Sequence, residues 1–345
     1  MSRPRKIPSA YLSWVAASLL CAGPLRAADH PLVIVIHGGA GVIERSRMTP
    51  EHEASYRAGL GAALDAGYAV LERGGAALDA VGAAVRTMED DPQFNAGRGA
   101  VLNHDGFCEL DAAIMDGTGP RAGAVAGVHH VRNPIDLARL VMDKSPHVML
   151  AGAGAEEFAL EQGVTLVPES YFITPQRLRE LEDDKRAAAA RAPTTPLPIR
   201  PGGGPKGMGT VGAVALDAQG HLAAATSTGG ITNKLYGRIG DTPIIGAGTY
   251  ANESCAVSGT GQGEFYIRQV VAYDVCAMVR YQKMPLAEAV RAVIHEKLRH
   301  AGGEGGVIAI DADGNYAMEF NSAGMHRGVR SSTGKREIAM YAGAN

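Results

Sequence analysis

The chain lacks the short motifs that mark several large enzyme classes. Its 345 residues contain no Walker phosphate loop, no HExxH zinc-binding helix and no GxGxxG string that joins a strand pattern to a helix pattern. Charge is nearly balanced, with 33 Lys and Arg against 36 Asp and Glu and a formal net charge of −3. This balance gives no electrostatic reason to expect nucleic acid or an anionic membrane as a partner. The sequence therefore speaks against a dinucleotide-binding enzyme, a zinc peptidase of that motif and a nucleic-acid-binding protein.

Aromatic residues and cysteines are also scarce. Aromatic side chains make up 5% of the sequence, whereas glycine contributes 45 residues, which favours tight turns over a core of large rings. Beyond the first 27 residues the chain keeps Cys108, Cys255 and Cys276. An odd number of cysteines at scattered spacings predicts neither a disulfide framework nor a metal site. We expect each of them to be a small buried apolar residue.

Residues 1–27 are typical of a signal peptide. A basic start precedes an apolar stretch, 11–23, that is too short to span a bilayer comfortably. Ala27 then supplies a small residue before a cleavage point ahead of Ala28. We therefore expect a periplasmic or secreted protein that has no membrane attachment once the leader is removed.

Strand and helix patterns occur on both sides of a segment that has no apolar face. That segment, 183–209, contains AAAARAPTT, several prolines and a triple glycine, a composition that predicts a mobile linker. Apolar patterns predict strands at 32–36, 108–115, 122–128, 147–151, 211–216, 222–227, 244–250, 256–258, 307–310 and 316–320, with helices at about 50–71, 76–88, 133–142, 155–161, 264–281 and 286–299. Elements that are clustered and do not alternate strictly favour an α+β fold with mixed sheets covered by helices.

The dipeptide Gly209-Thr210 joins this glycine-rich segment to a compact apolar run, TVGAVALD. A flexible tail that ends on a threonine at the head of a strand is typical of a self-cleaving precursor. Cleavage before Thr210 would give a residue whose hydroxyl is a nucleophile and whose own α-amine is the base. An unperturbed α-amine has a pKa of about 7.7–8.0, so it can accept a proton near neutral pH.

Three further polar clusters follow Thr210. The string TSTGG ends on Thr228 and a glycine pair, and SGTGQGE places Thr260 and Gly261 ahead of a helix, where they could stabilise an oxyanion. The string GRIGD places Arg238 and Asp241 three residues apart, which suits a zwitterion with one carboxylate and one ammonium group. From the residues alone, a surface salt bridge and ordinary hydroxyl-stabilised turns remain open alternatives.

Together these strings closely resemble the plant-type L-asparaginase/isoaspartyl peptidase family of N-terminal nucleophile hydrolases. The resemblance covers nearly the whole chain after the leader. It is carried by HGGAG (37–41), FNAGRGAVLNHDGFCELDAAIMDG (94–117), GAVAGV (123–128), NPIDLARLVM (133–142), SPHVML (145–150), GTVGAVALD (209–217), TSTGGITNKLYGRIGD (226–241), GAGTYAN (246–252) and SGTGQGE (258–264).

The resemblance implies a four-layer αββα sandwich that cleaves itself between Gly209 and Thr210. The products would be an α chain, 28–209, and a β chain, 210–345, forming one folded domain, and two such units would pair. The enzyme would release L-aspartate from β-aspartyl dipeptides and L-asparagine through an acyl-enzyme on Thr210. The implied catalytic residues are Thr210, Thr228, Thr260, Gly261 and Asn95, and the implied substrate-binding residues are Arg238, Asp241, Gly261 and Gly230.

The resemblance implies no catalytic metal and no organic cofactor, but it does imply a structural sodium ion. The ion would be held by backbone carbonyls of Met88, Glu89, Asp91, Phe94, Ala96 and Arg98. The chain departs from the family at Tyr236, where proline is common, and at Arg98, where an apolar residue is usual. Two alternatives remain: a glycosylasparaginase acting on N-linked glyco-asparagine, and a non-catalytic protein that binds amino acids.

Overall fold

The computed structural model describes residues 30–41, 43–119, 121–190 and 209–343. The eight strands of the first sheet have the spatial order β12-β11-β1-β5-β6-β2-β3-β4 and are antiparallel except for the parallel pair β3 and β4. They are β1 Val33–Gly41, β2 Leu110–Asp116, β3 Arg121–Val128, β4 Met149–Ala151, β5 Val211–Leu216, β6 Leu222–Thr228, β11 Gly324–Ser331 and β12 Arg336–Tyr341.

A second, antiparallel sheet has the order β10-β9-β8-β7. Its strands are β7 Thr249–Ala251, β8 Cys255–Gly261, β9 Gly305–Asp311 and β10 Tyr316–Phe320. The helices are α1 Pro50–Glu72, α2 Ala77–Asp90, α3 Pro134–Lys144, α4 Gly152–Glu161, α5 Pro175–Ala189, α6 Gly263–Gln269, α7 Val271–Gln282 and α8 Leu286–Arg291, which a π-helical stretch, Ala292–Leu298, continues.

Side chains alternate between the two faces of each strand, and the buried apolar residues form three clusters. In β1, Ile34 and Ile36 pack against α1 and α2, whereas Val33 and Val35 face the second sheet. The other face of the second sheet packs against α6, α7 and α8. The order of layers is thus helices, sheet, sheet, helices, and the predicted αββα sandwich is confirmed.

One disulfide corrects the cysteine prediction. Cys255 at the start of β8 is bonded to Cys276 in α7, 21 residues away, while Cys108 is a free and buried thiol. The expectation of three unpaired cysteines is wrong because pairing depends on α7 folding back over β8. Nothing in the spacing of the cysteines reveals that contact.

Several predicted elements differ from the observed ones. Residues 183–189 were expected in the mobile linker but form the end of α5, because alanine, arginine and lysine favour helix. The expected helix 264–281 is interrupted at Val270, which has a φ of 49°. Of the expected strand 244–250 only its end is extended, and β11 and β12 were missed. The signal peptide and residues 191–208 of the linker lie outside the described residues.

Two local signals were interpreted correctly. Thr49 caps α1 by accepting a hydrogen bond from the amide of His52 at 3.3 Å, and Pro50 occupies the first turn.

In the portion of the chain that the structure covers, no helix combines the length and the apolar character that crossing a bilayer requires.

Candidate active site

Three threonines meet at the boundary between residues 209 and 210: Thr210 just before β5, Thr228 at the end of β6 and Thr260 in β8. Pairing of Val211 with Ser227 brings the head of β5 beside the end of β6. The hydroxyl of Thr210 donates to Oγ1 of Thr228 at 3.1 Å, and the amide of Thr210 donates to Oγ1 of Thr260 at 3.4 Å. The sequence-predicted triad is therefore assembled around the boundary between residues 209 and 210.

The glycine turn at the end of β1 covers that boundary. Gly39 has a φ of +111°, and a Cβ there would lie 2.5 Å from Cα of Gly209. The next amide, that of Ala40, donates to Oγ1 of Thr260 at 3.1 Å. Only glycine allows so close an approach of two backbones, which explains the HGGAG string.

Asn95 supports the site from behind. Its Nδ2 donates to the carbonyl of Gly230 at 2.8 Å, and its Oδ1 accepts from the amide of Val101 at 2.9 Å. The amide of Gly230 in turn donates to Oγ1 of Thr228 at 3.0 Å. Asn95 thus fixes the Gly230 turn, and both polar atoms of its side chain are engaged in doing so.

The charged pair lies on the opposite wall. Asp241 is buried, and its Oδ2 accepts no hydrogen bond within the described residues. Burial raises the pKa of this carboxyl to about 7, and Arg238 only partly opposes the effect. A buried carboxylate without a partner is costly, so the group is set up to receive a ligand cation.

Arg238 is anchored by a residue that the sequence reasoning missed. Its Nε donates to Oε1 of Glu264, the second residue of α6, at 2.8 Å. Although burial acts in the opposite direction, the bond to Arg238 holds the pKa of Glu264 below its ordinary value. The remaining guanidinium donors are near Gly240 and Gly263, where a substrate carboxylate could reach them.

One cleft contains both Thr210 and the charged pair. It is lined by backbone or side-chain atoms of Gly209, Thr210, Thr228, Gly230, Ile231, Arg238, Gly240, Asp241, Thr242 and Gly261. Asn95 and Thr260 contact its lining from beneath. A wider cleft between the α7–α8 connection and the turn from β9 to β10 contains none of these residues. The smaller one is the candidate active site because the Thr210 residue, the Arg238 cation and the Asp241 carboxyl all line it.

His37 is a second residue that the sequence reasoning missed. Its Nδ1 lies 2.8 Å from the carbonyl oxygen of Thr210, and its Nε2 lies 2.9 Å from Oγ of Ser258. Burial lowers the pKa of His37 to about 3, although the bond to Thr210 acts in the opposite direction. The ring is therefore neutral at physiological pH. Its place directly after Ile36 in β1 could have signalled that it faces the second sheet, as Val35 does.

The predicted sodium loop follows α2. Carbonyls of Met88, Asp91 and Ala96 each accept a backbone amide bond from within the loop, while those of Glu89 and Phe94 press against Gly97 and Gly99. The guanidinium of Arg98 points out of the loop and stacks 5.6 Å from the ring centre of Tyr171. The loop therefore packs several backbone oxygens into a short segment, and such oxygens are the ligand type that hard cations prefer.

The fold and this cleft define a hydrolase of the N-terminal nucleophile type. A family profile described as asparaginase matches residues 30–340. The chain belongs to this asparaginase family, and the resemblance that its motifs indicated is confirmed.

Curated relatives agree with that assignment. An isoaspartyl peptidase from Salmonella typhimurium is 52% identical over 296 residues, which cover 86% of this chain and 94% of the relative. A probable isoaspartyl peptidase/L-asparaginase from Arabidopsis thaliana is 44% identical, with 89% and 98% covered. An isoaspartyl peptidase/L-asparaginase from Rattus norvegicus is 43% identical, with 88% and 87% covered.

Proposed function

We propose that this chain cleaves itself before Thr210 and then hydrolyses isoaspartyl dipeptides and L-asparagine, releasing L-aspartate. The observation that carries the proposal is the threonine triad at the 209–210 boundary, with Oγ1 of Thr210 3.1 Å from Oγ1 of Thr228. The printed names of the relatives support the choice of substrates.

In self-cleavage, the Thr210 hydroxyl attacks the carbonyl carbon of Gly209. The C–N bond breaks, its nitrogen becomes the free amine of Thr210, and water then hydrolyses the ester. In substrate hydrolysis, the same hydroxyl attacks the side-chain carbonyl of the aspartyl group while the α-amine takes its proton. The amine returns that proton to the leaving group, and water releases L-aspartate from the acyl-enzyme.

The other groups act on charge and position. Thr228 would orient the nucleophile, and the hydroxyl of Thr260 with the amide of Gly261 would stabilise the oxyanion. Arg238 would bind the α-carboxylate and Asp241 the α-ammonium of the substrate, with Gly230 lining the pocket. Asn95 would act by holding Gly230, to whose carbonyl its Nδ2 donates.

The decisive experiment compares wild type with Thr210→Ala and with a surface control, Thr118→Ala. Denaturing mass spectrometry should find two chains in wild type and the control, the smaller beginning at Thr210. Thr210→Ala should remain one chain and release no leucine from β-Asp-Leu. An uncut wild type would instead favour the amino-acid-binding alternative. Sugar release from glyco-asparagine at rates rivalling dipeptide hydrolysis would favour glycosylasparaginase.

We also propose that the enzyme is exported and works in a periplasm or outside the cell. Support comes from the leader-like residues 1–27 and from the disulfide between Cys255 and Cys276, because such bonds persist mainly in oxidising compartments. Fractionation of cells expressing the full chain tests this, and a cytoplasmic, full-length product would contradict it.

Two further proposals concern assembly and ions. We expect the cut enzyme to form a dimer of α–β units, which native mass spectrometry would measure.

We expect the loop 88–98 to hold a sodium ion through backbone carbonyls, giving the loop rigidity and taking no part in the reaction. Melting in sodium against N-methylglucamine buffers should show a higher midpoint in sodium.

A further inference from the structure

A continuous series of hydrogen-bonding groups runs from the carbonyl of Thr210 into the space between the sheets. Beyond His37 and Ser258, Oγ of Ser258 lies 2.7 Å from Oγ1 of Thr226, and that atom lies 2.7 Å from Oγ1 of Thr249. The residues come from β1, β8, β6 and β7, and all are buried. Buried polar groups that are all partnered hold one another in fixed geometry.

The protons in this series can be placed from chemistry alone. A carbonyl oxygen accepts only, so Nδ1 of the neutral His37 ring must donate to Thr210. Its Nε2 is then the acceptor, and the Ser258 hydroxyl must donate to it. Ser258 has no second proton, so Thr226 donates to Ser258, and Thr249 can donate to Thr226. The donors of His37, Ser258 and Thr226 therefore all point toward Thr210.

The surrounding backbone is shaped to admit these side chains. A Cβ on Gly212, the second residue of β5, would overlap both Oγ of Ser258 and Nε2 of His37. The sequence leaves this position without a side chain, although a glycine within a strand costs about 0.5–1 kcal/mol relative to alanine. The space on that face of β5 is instead filled by the imidazole and hydroxyl pair.

We propose that His37 is a positioning residue for the nucleophile, holding the Thr210 carbonyl through Nδ1–H while Ser258 fixes the ring. This inference rests on the proposed function, because it presupposes that Thr210 reacts through its hydroxyl and amine. Once the bond to Gly209 is cut, the amine of Thr210 is a chain end. The anchored carbonyl then limits rotation of the residue and keeps the amine beside its own hydroxyl.

Two amide substitutions separate positioning from mere filling of space. In His37→Asn the side-chain amide nitrogen stands near the place of Nδ1 and can donate to Thr210. In His37→Gln the amide reaches the place of Nε2 and can bond Ser258, but it offers Thr210 nothing. His295→Asn, at a half-buried histidine that contacts Glu319, is the matched control. Ser258→Ala keeps the imidazole and removes the group that fixes its tautomer.

The measurement is kcat and KM for β-Asp-Leu on protein whose cleavage at Thr210 has been verified by mass. We expect His37→Gln to lose about 10–100-fold in kcat with KM changed less than about threefold, because Arg238 and Asp241 are untouched. His37→Asn should recover most of kcat, and Ser258→Ala should fall between the two.

Equal kcat in His37→Gln and wild type, with both cut at Thr210, would overturn the inference and leave the proposed function intact. Equal losses in the Asn and Gln variants would also overturn it, since that pattern indicates a packing role. If His37→Gln does not fold, Ser258→Ala decides, and an unchanged kcat there counts against the inference. A wild type that is never cut would overturn the proposed function and this inference together.

Discussion

Binding of L-aspartate should weaken as pH falls through 7, and Asp241 should be the cause. The perturbation is a change of pH from 8 to 6, applied to the cut wild type and to Asp241→Asn. The ligand's ammonium group stays protonated throughout this range, so its charge does not change. The charge of the Asp241 carboxyl, which receives the ammonium group, does change, because burial raises the pKa of this carboxyl to about 7.

The size of the effect follows from that pKa. About nine-tenths of the Asp241 groups are ionised at pH 8 and about one-tenth at pH 6. When only the ionised form binds, the apparent Kd is the intrinsic Kd divided by the ionised fraction. The apparent Kd should therefore rise about tenfold over these two pH units. At pH 7 about half a proton should leave the complex for each L-aspartate bound.

Titration calorimetry measures both quantities. Kd is followed from pH 6 to pH 8, and proton release is obtained at pH 7 from buffers with different ionisation enthalpies. Asp241→Asn keeps the shape of the residue but does not titrate, so it should bind at least about tenfold more weakly at pH 8. Its affinity should lack the loss toward acid pH. The free amine of Thr210 gains positive charge toward acid pH and would strengthen binding of the ligand's side-chain carboxylate. This effect on Kd is opposite in sign to the effect of Asp241.

A pH-independent Kd in wild type would refute the reasoning. It would mean that Asp241 is ionised across the range or that it does not contact the ligand. Parallel pH profiles in wild type and Asp241→Asn would assign the dependence to another group and refute the role of Asp241 alone.

Two other substitutions test features of the fold. Gly39→Ala should slow self-cleavage, because its Cβ would lie 2.5 Å from Cα of Gly209. Gly74→Ala is the control, because Gly74 also has a positive φ but a Cβ there would meet nothing within 4 Å. Equal cleavage rates of the two variants in gel time courses would contradict the argument. Replacing Cys255 and Cys276 together by alanine should lower the free energy of unfolding by about 3 kcal/mol, since the bond closes a loop of 21 residues. Urea denaturation measures the loss, and an unchanged midpoint would count against it.

The sequence points to Thr210, Arg238 and Asp241 because the signals of these residues are local. A threonine after a glycine run and a GRIGD loop carry their own signal, and the resemblance assigns them a common cleft. His37 and Glu264 were missed because their roles depend on contacts with residues far along the chain. His37 meets Ser258 across 221 positions, and no periodicity in one strand reports its neighbour in the other sheet.

Errors in the fold prediction have the same origin. The strand β11 reads Gly-Met-His-Arg-Gly-Val-Arg-Ser, in which His326 and Arg327 interrupt any apolar alternation. It is nevertheless buried between β1 and β12, and Arg327 donates to the carbonyls of Met325 and Tyr341. Val270 likewise breaks a helix that local propensity would continue. Tertiary contacts decide these cases, and composition does not encode them.

The interleaving of strands has a consequence for the life of the cut protein. Strand β1, from before Thr210, lies between β5 and β11 from after it, and β2 pairs with β6 in the same way. Neither piece can leave without opening three strand pairs and the apolar layer between the sheets. The two polypeptides should therefore melt in one transition and copurify through any native column. Because the eight-stranded sheet is divided between the two pieces, mixing separately made halves is a poor route to active enzyme, and the uncut precursor serves as its own assembly template.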